Sequence, residues 1–362
     1  MKILIINSVC GIRSTGRIVT DIAKKYIANG HECRIAYGRE FAPQKYQSIS
    51  YKISSHSSVI LNALKARVLD NEGFNAKIAT KKFIKWANNY NPDVVWLHNL
   101  HGYYINIELL FDWIKSRPQM EIRWTLHDCW AFTGHCAHFS FVKCDLWKTG
   151  CHGCPQKNVY PKSFFLDNSK ISYERKRKAF SGVKNLTLIT PSKWLAELTR
   201  QSFLHEYPVE VHYNTIDNSV FCPTPSDFRE KMGLQDSKIV LGVASAWSDR
   251  KGLGDFVKLA DKIGADYTVV LVGLDKAPSD KVMCIPRTNS VKELAEIYTA
   301  ADIFVNLTYE DTYPTVNLEA QGCGTPCLTY QTGGSVENVP PENVVDQGDL
   351  DSIIAKIKGI IG

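Results

Sequence analysis

The chain has no run of 18 uncharged apolar residues, so the sequence offers no membrane-spanning helix. Its first residues, MKILIINSVCGIRSTGR, hold one short apolar stretch with no small-residue cleavage site behind it. They read as a first β-strand and not as a signal peptide. Eleven cysteines, an odd number in a chain without such a signal, fit a reducing cytoplasm better than a disulfide framework. There is no low-complexity tract and no repeat of fixed period, which excludes solenoids and arrays. A Walker A loop and a full G-x-G-x-x-G are missing too, so any phosphate site must be built another way.

What is present is an ordinary globular composition, 44% apolar and 22% charged over 362 residues, enough for two domains with cores of their own. The overall charge of +6 conceals an asymmetry. Residues 1–200 carry 30 basic and 14 acidic side chains, a net +16, whereas residues 201–362 carry 13 and 23, a net −10. Halves of opposite sign point to different partners, and a basic half suits an anionic membrane, a phosphorylated acceptor or nucleic acid; solvated faces on both domains are the plain alternative.

Short β-branched runs alternate with helical stretches throughout, the pattern of parallel α/β units. Strands are expected at 2–7, 32–38, 93–98, 122–128, 186–192 and 209–214, then at 238–245, 267–273, 283–287, 301–308 and 325–330. The Pro-bearing stretch 214–237 reads as a linker, dividing a domain over 1–214, with a Cys-rich insertion at 129–155, from one over 215–362. Two doubly wound sheets facing one another would place a ligand cleft between their carboxyl edges.

Chemistry-bearing residues gather after expected strand ends. Gly11 and Gly16, with Ser14 and Thr15, form a strand-to-helix turn able to meet an anion. HNLHG and TLHDCW bring His98, His101, His127 and Asp128 to one edge, His127 being the best donor to a sugar hydroxyl or carbonyl. In the acidic half, ASAWSDRKGLGDF sets Arg250 and Lys251 at a strand–helix junction, where a planar and a compact cation can clamp a diphosphate; Arg287 can add to them. In YEDTYPTVNLEAQGCGTPCLTYQTGG, Asp311 and Glu319 lie eight residues apart around a Pro-containing turn. Carboxylates suit sugar recognition because they only accept and can hold vicinal hydroxyls.

With these pieces in order, the sequence resembles the family 4 retaining glycosyltransferases, whose signature is E-x7-E, a small-residue helix and a G-x-P turn. Here it reads D-TYPTVNL-E-AQGCGTP, with Glu310 directly before Asp311. PSKWL, YNTIDNSVF, RKG and TGGSVE also fit, and HNLHG, TLHDCW and the Cys-rich insertion resemble bacterial enzymes of exopolysaccharide or O-antigen synthesis. Departures are Ser245 where an arginine is frequent and Thr215 where a glycine is usual.

The resemblance implies an α/β GT-B fold of two Rossmann-like domains and transfer of a hexosyl group from a UDP- or GDP-sugar, with retention and no catalytic metal. It implies that Glu319 holds the ribose, that Asp311 or Glu310 holds the donor sugar, and that Arg250 and Lys251 neutralise the diphosphate. Gly16, Arg287, Tyr313, Thr315 and Val316 join the donor site, His127 touches the sugar, and His98, His101 and Asp128 lie on the acceptor side. The expected acceptor is a glycan on a polyprenyl diphosphate, with the enzyme cytoplasmic and peripheral on the inner face of the membrane. YERKRKAF (173–180), ATKKFIKW (79–86), Lys24 and Lys25 would lie on anionic lipid, with Trp86 assisting; no nucleic acid is expected. Two rivals are a GT-B sugar-nucleotide epimerase and a zinc-ribbon nucleic-acid binder. Cys136, Cys144, Cys151 and Cys154, spaced C-x7-C-x6-C-x2-C, suit a closed structural zinc, with His135, His138 and His152 as alternates; packed free thiols are the other reading.

Overall fold

The computed structural model describes residues 1–362. The chain divides into two compact units, Met1–His212 and Tyr213–Gly362. The first is built from β1 (Lys2–Asn7), α1 (Arg13–Ala28), β2 (Glu32–Tyr37), β3 (Ser50–Lys52), α2 (His56–Leu69), α3 (Lys77–Tyr90), β4 (Val94–Leu97), α4 (Ile107–Lys115), β5 (Glu121–Thr125), α5 (Ser169–Phe180), β6 (Leu186–Thr190), α6 (Lys193–Gln201) and β7 (Val209–Val211). Its strands form one parallel sheet in the order β3-β2-β1-β4-β5-β6-β7. Because strand residues alternate faces, β1 feeds two cores. Leu4 and Ile6 pack with Val95, Leu97, Phe83 and Leu110, while Ile3 and Ile5 pack with Val19, Ala23 and Ile35 on the other face.

The second unit contains α7 (Phe228–Lys231), β8 (Lys238–Val243), α8 (Leu253–Lys262), β9 (Tyr267–Val272), β10 (Val282–Ile285), α9 (Val291–Ala300), β11 (Ile303–Asn306), α10 (Thr315–Gly322), β12 (Cys327–Tyr330), β13 (Val344–Val345) and α11 (Leu350–Ile361). Its parallel sheet runs β10-β9-β8-β11-β12-β13. Phe256 and Leu259 of α8 with Ile353 and Ile357 of α11 cover one face; Ala295 and Tyr298 of α9 with Ala320 of α10 cover the other. No helix is long and apolar enough to cross a membrane.

The structure corrects the sequence reading of the linker and of the strand ends. The stretch 214–237 is no free linker: it includes α7, and Phe221 and Leu234 are buried in the second unit's core. Most strands also end one to three residues earlier than the apolar pattern suggests, so that His98, His127, Asp128 and Thr308 lie in loops past the carboxyl ends.

Candidate functional site

In a doubly wound sheet, ligands bind outside the carboxyl ends where the strand order reverses. In the second unit that point lies between β8 and β11. The loop after β8 makes a short 3-10 turn, Asp249–Lys251, closed by Gly252 in the left-handed region (φ 73°). A Cβ there would stand 2.1 Å from the Leu307 carbonyl oxygen, so only glycine lets this turn lie against the loop after β11. The two loops are laced together: Tyr309 donates its amide to the Arg250 carbonyl at 2.8 Å, and the Arg250 guanidinium donates to the Glu310 carbonyl at 2.8 Å.

Lys251 and Asp311 meet across this crevice in an ion pair of 2.5 Å, their side chains 23% and 17% exposed. Of the two adjacent acids, Asp311 keeps a path to solvent and Glu310 is buried. The next turn leads to α10, whose N-cap is Pro314 and whose first amides receive no side-chain cap. An uncapped helix start beside a cation pair is a natural anion cradle. Buried amides hold that helix start in place. Asn306 donates to Asn317 at 2.8 Å, Asn317 to Asn338 at 2.9 Å, and Asn338 to the Pro314 carbonyl at 2.9 Å. Thr315 and Val316 sit half-buried in the first turn of α10, and Tyr313 stacks on Tyr213 at 5.2 Å. Glu319 lies deeper, 4% exposed, accepting from the Tyr298 hydroxyl at 3.2 Å. Arg287 is not part of this group: it is exposed past β10, the edge strand two places from β8. Tyr298 and the asparagine network had no local sequence signature.

In the first unit the order reverses between β1 and β4. Gly16, in the first turn of α1, accepts the Gly11 amide at 2.9 Å, and a Cβ on it would stand 3.2 Å from the Gly11 nitrogen. Beyond β4 and β5, His98 Nδ1 and His127 Nε2 are 2.9 Å apart and their rings stack. Burial holds both imidazoles below the usual histidine range, His98 with help from His127, and His127 at about 4 although Asp128 partly offsets the effect. Both are therefore neutral at physiological pH. His98 Nε2 is buried without a hydrogen-bond partner. A buried N–H left so costs about 1–3 kcal/mol, so the proton belongs on His98 Nδ1, which donates to His127. That leaves the His127 proton on its Nδ1.

A second histidine line runs alongside. His101 bridges Asp128, 2.8 Å from its Nε2, and the Tyr160 hydroxyl, 2.9 Å from its Nδ1. Burial would raise the Asp128 carboxyl, but His101 outweighs it and holds Asp128 well below the carboxylate range. Glu72, which the sequence reading missed, accepts the amides of Gly102 and Tyr103 at 2.6 and 2.9 Å and so fixes the HNLHG loop. Its signal is only an acid before a glycine, indistinguishable from a solvated one.

Four of the five cysteines of the 129–155 segment, Cys136, Cys144, Cys151 and Cys154, line one enclosure together with His135, His152 and Trp147. The Cys136 thiol donates to Cys154, and no three His, Cys, Asp or Glu side chains in the chain stand at metal-coordinating geometry.

The basic surface differs from expectation. In α5, Lys176 is fully buried and Arg175 is paired with Glu108 at 2.7 Å, so YERKRKAF is not a continuous solvated face. Trp86 is stacked between Tyr51 and Tyr90. A run of exposed apolar residues lies on α2, where Ile60, Leu61, Leu64, Val68 and Leu69 are 42–53% exposed. Phe164, Phe165 and Leu166 join them, because the Phe164 amide donates to the Arg67 carbonyl at 2.7 Å and Asn168 donates to that of Leu69. Lys65, Arg67 and Lys162 rim this surface in exposed positions.

Comparison with known proteins places these features. Residues 226–361, nearly all of the second unit, match the family model described as "Glycosyl transferases group 1". The putative colanic acid biosynthesis glycosyl transferase WcaC of Escherichia coli (strain K12) is 34% identical over 112 residues, 29% of this chain and 27% of that protein. The alpha-galactosylglucosyldiacylglycerol synthase of Streptococcus pneumoniae is 24% identical over 136 residues, 32% of this chain and 36% of that one. The chain thus matches about a third of the length of such relatives. Among solved structures, the sucrose-phosphate synthase of Thermosynechococcus elongatus superposes with a TM-score of 0.66 at 14% identity, covering 99% of this chain and 89% of that one. Anabaena HepE in complex with UDP gives 0.65 at 14% identity, with the same coverages. The fold is GT-B, two parallel-sheet Rossmann-like α/β domains.

Proposed function

We propose that this protein is a retaining glycosyltransferase. It moves a hexosyl group from a UDP- or GDP-sugar to a hydroxyl of a polyprenyl-diphosphate-linked glycan, in bacterial O-antigen or exopolysaccharide synthesis at the inner face of the cell membrane. The observation that carries this reading is the Lys251–Asp311 pair beside the uncapped start of α10, at the reversal point of the second sheet. The group 1 match over the same residues and the name of the WcaC relative support it.

The chemistry follows from charge. Breaking the sugar–phosphate bond builds positive charge on the ring and negative charge on the departing diphosphate. Lys251, Arg250 and the α10 amides stabilise that diphosphate, an effect typically worth several kcal/mol. Asp311 then turns to a hydroxyl of the sugar, and Glu319, anchored by Tyr298, accepts from the ribose. The acceptor hydroxyl attacks the anomeric carbon from the face the diphosphate leaves, and its proton passes to the departing phosphate oxygen. In the first unit, neutral His127 donates from Nδ1 to a sugar hydroxyl, while Asp128, hydrogen-bonded to His101, orients the acceptor side. No residue is assigned to a catalytic metal.

The α2 surface supports a membrane-borne acceptor: an apolar strip rimmed by lysine and arginine suits anionic lipid, and each basic residue near such a surface contributes about 1 kcal/mol. An epimerase would have no use for it, and the acidic second unit speaks against nucleic acid. The test is thermal shift with UDP, GDP and ADP, then turnover with a panel of their sugars and a lipid-linked acceptor, the anomer of the product read by NMR. Stabilisation by nucleic acid but by no nucleotide would refute the reading; an inverted product would refute retention alone.

A further inference from the structure

Gly102 follows His101 in the loop after β4, and a Cβ on it would stand 3.0 Å from Arg39 Cδ. The Arg39 side chain therefore runs directly over this glycine. Arg39 itself lies past the end of β2, and its amide donates to the Ser8 carbonyl, past the end of β1, at 2.7 Å. Three neighbouring loops thus meet where the order of the first sheet reverses. Arg39 is half-buried there. The adjacent acid, Glu40, is taken by Arg13 at 2.5 Å, and the Arg39 guanidinium makes no ion pair or hydrogen bond within the chain. Its planar donors, partly stripped of water and unpaired at a ligand-binding edge, call for an anion.

Tyr103, the next residue, is held in the left-handed region (φ 67°), a strained backbone for a bulky side chain that persists only where its surroundings impose it. Glu72 imposes it through the Gly102 and Tyr103 amides, and Asn62 of α2 through the Tyr103 carbonyl, to which it donates at 3.1 Å. Burial, with Glu72, pushes the Tyr103 hydroxyl up, while Arg67 and Arg39 oppose the rise, so both guanidinium charges act at this one hydroxyl. Arg67 is exposed in the last turn of α2. It follows Ile60 and Leu64 at steps of four and three residues, which places it on the face that carries the exposed apolar strip. The strip therefore ends in a cation. Segment 160–166 makes the same passage from apolar to polar: the exposed Phe164 is bonded to the Arg67 carbonyl, and the Tyr160 hydroxyl reaches His101 Nδ1 at 2.9 Å.

We propose that Arg39 and Arg67, around Tyr103, bind the diphosphate of the acceptor, whose isoprenoid chain lies along α2 and residues 164–166. The inference rests on the lipid-linked acceptor of the proposed function and adds the residues that hold it. Arg39 supplies a planar fork that suits two phosphate oxygens, and Arg67 an exposed charge at the end of the apolar strip. The Tyr103 hydroxyl donates to the same anion. A diphosphate held over Gly102 leaves the first sugar of the glycan next to His101 and Asp128, on the acceptor side.

The probe is farnesyl diphosphate, titrated into the full chain by calorimetry below its micelle concentration. Saturating UDP, and in a second series GDP, keeps it out of the cradle at α10. It is expected to bind at least about tenfold tighter than farnesol or inorganic pyrophosphate, each of which offers half of the contact. Arg39→Gln should weaken it about 10- to 100-fold, and Arg39→Lys should recover part of the loss, a compact ammonium replacing the fork. Leu64→Asp should weaken farnesyl diphosphate and leave pyrophosphate unchanged. Flotation of Arg39→Gln with phosphatidylglycerol vesicles should match that of the unaltered chain, because bulk head groups meet the α2 rim and not the half-buried guanidinium. If Arg39→Gln fails to fold, Arg67→Gln, at an exposed position, tests the same anion. Farnesyl diphosphate binding that neither substitution moves overturns the proposal. So does an equal loss of vesicle binding by Arg39→Gln, which would assign this arginine to the bilayer. A chain that binds UDP or GDP but no farnesyl diphosphate overturns this inference alone and leaves the transferase reading standing. Arg39-dependent binding in a chain that takes neither nucleotide sustains the lipid-diphosphate site and overturns the transferase reading instead.

Discussion

If Lys251 holds the donor diphosphate, then Asp311 competes with it in the free protein, and the two charges should respond to mutation in opposite directions. The pair is partly buried, with side chains 23% and 17% exposed, which puts it near the upper end of a surface salt bridge, about 1 kcal/mol. A charge-assisted contact to a phosphate contributes about 1.5–3 kcal/mol. Lys251→Ala forfeits the second but no longer has to break the first. The net loss is about 0.5–2 kcal/mol, or a Kd for the nucleoside diphosphate raised about 2- to 30-fold. Asp311→Asn releases Lys251 and removes a like charge from the phosphate site, so the same nucleotide should bind up to about 5-fold tighter. The whole nucleotide-sugar should behave otherwise with Asp311→Asn, because the hydroxyl acceptor is weakened and kcat falls. Calorimetric titration of both variants with UDP and GDP, beside turnover of the sugar-nucleotide, tests this. Equal weakening of nucleotide binding by the two substitutions would refute the reasoning, since it would mean that Asp311 helps to build the diphosphate site instead of competing for its cation.

Three more outcomes are expected. Gly252→Ala combines a left-handed backbone, costing about 1–2 kcal/mol, with a Cβ 2.1 Å from the Leu307 oxygen; thermal unfolding should drop by several degrees and nucleotide binding with it. Because His127 is held at about 4 against 6.5 in an unfolded chain, the native state binds fewer protons in between. Stability should therefore rise with pH from about 4 to 6.5 and be lost as pH falls, and His127→Gln should flatten that slope in melting curves. Leu61→Asp with Leu64→Asp removes two half-exposed leucines from the α2 strip, about 1 kcal/mol each on a membrane. Flotation with vesicles rich in anionic lipid should show at least about 30-fold weaker association, with nucleotide binding unchanged.

Much of the architecture was written locally. Runs such as KILIIN and YTVVLV are apolar on both faces because both sheets are covered by helices on each side, and such runs can hardly be anything else. The site motifs were legible for a related reason: Gly252, Lys251 and the D-x7-E stretch follow strand ends in fixed order, and strand ends are where this fold binds ligands. The short edge strands β3 and β13, of three and two residues, left no pattern to read.

Only the tertiary structure decided which charges are solvated and which are spent inside. YERKRKAF reads as a basic face, yet Lys176 is buried and donates to the Trp130 carbonyl and Arg175 is paired with Glu108, because what packs on a helix comes from segments far away in sequence. The same holds for α2, whose apolar residues remain outside because Asn62 and Ala66, and not its leucines, meet the core. It holds also for His98 and His127, 29 residues apart, whose neutral pair arises from burial and proximity that no spacing rule encodes. Local sequence determines periodicity and turns, which are short-range properties of the backbone. Burial, and with it the charge state of every group in the site, is a property of the packed whole.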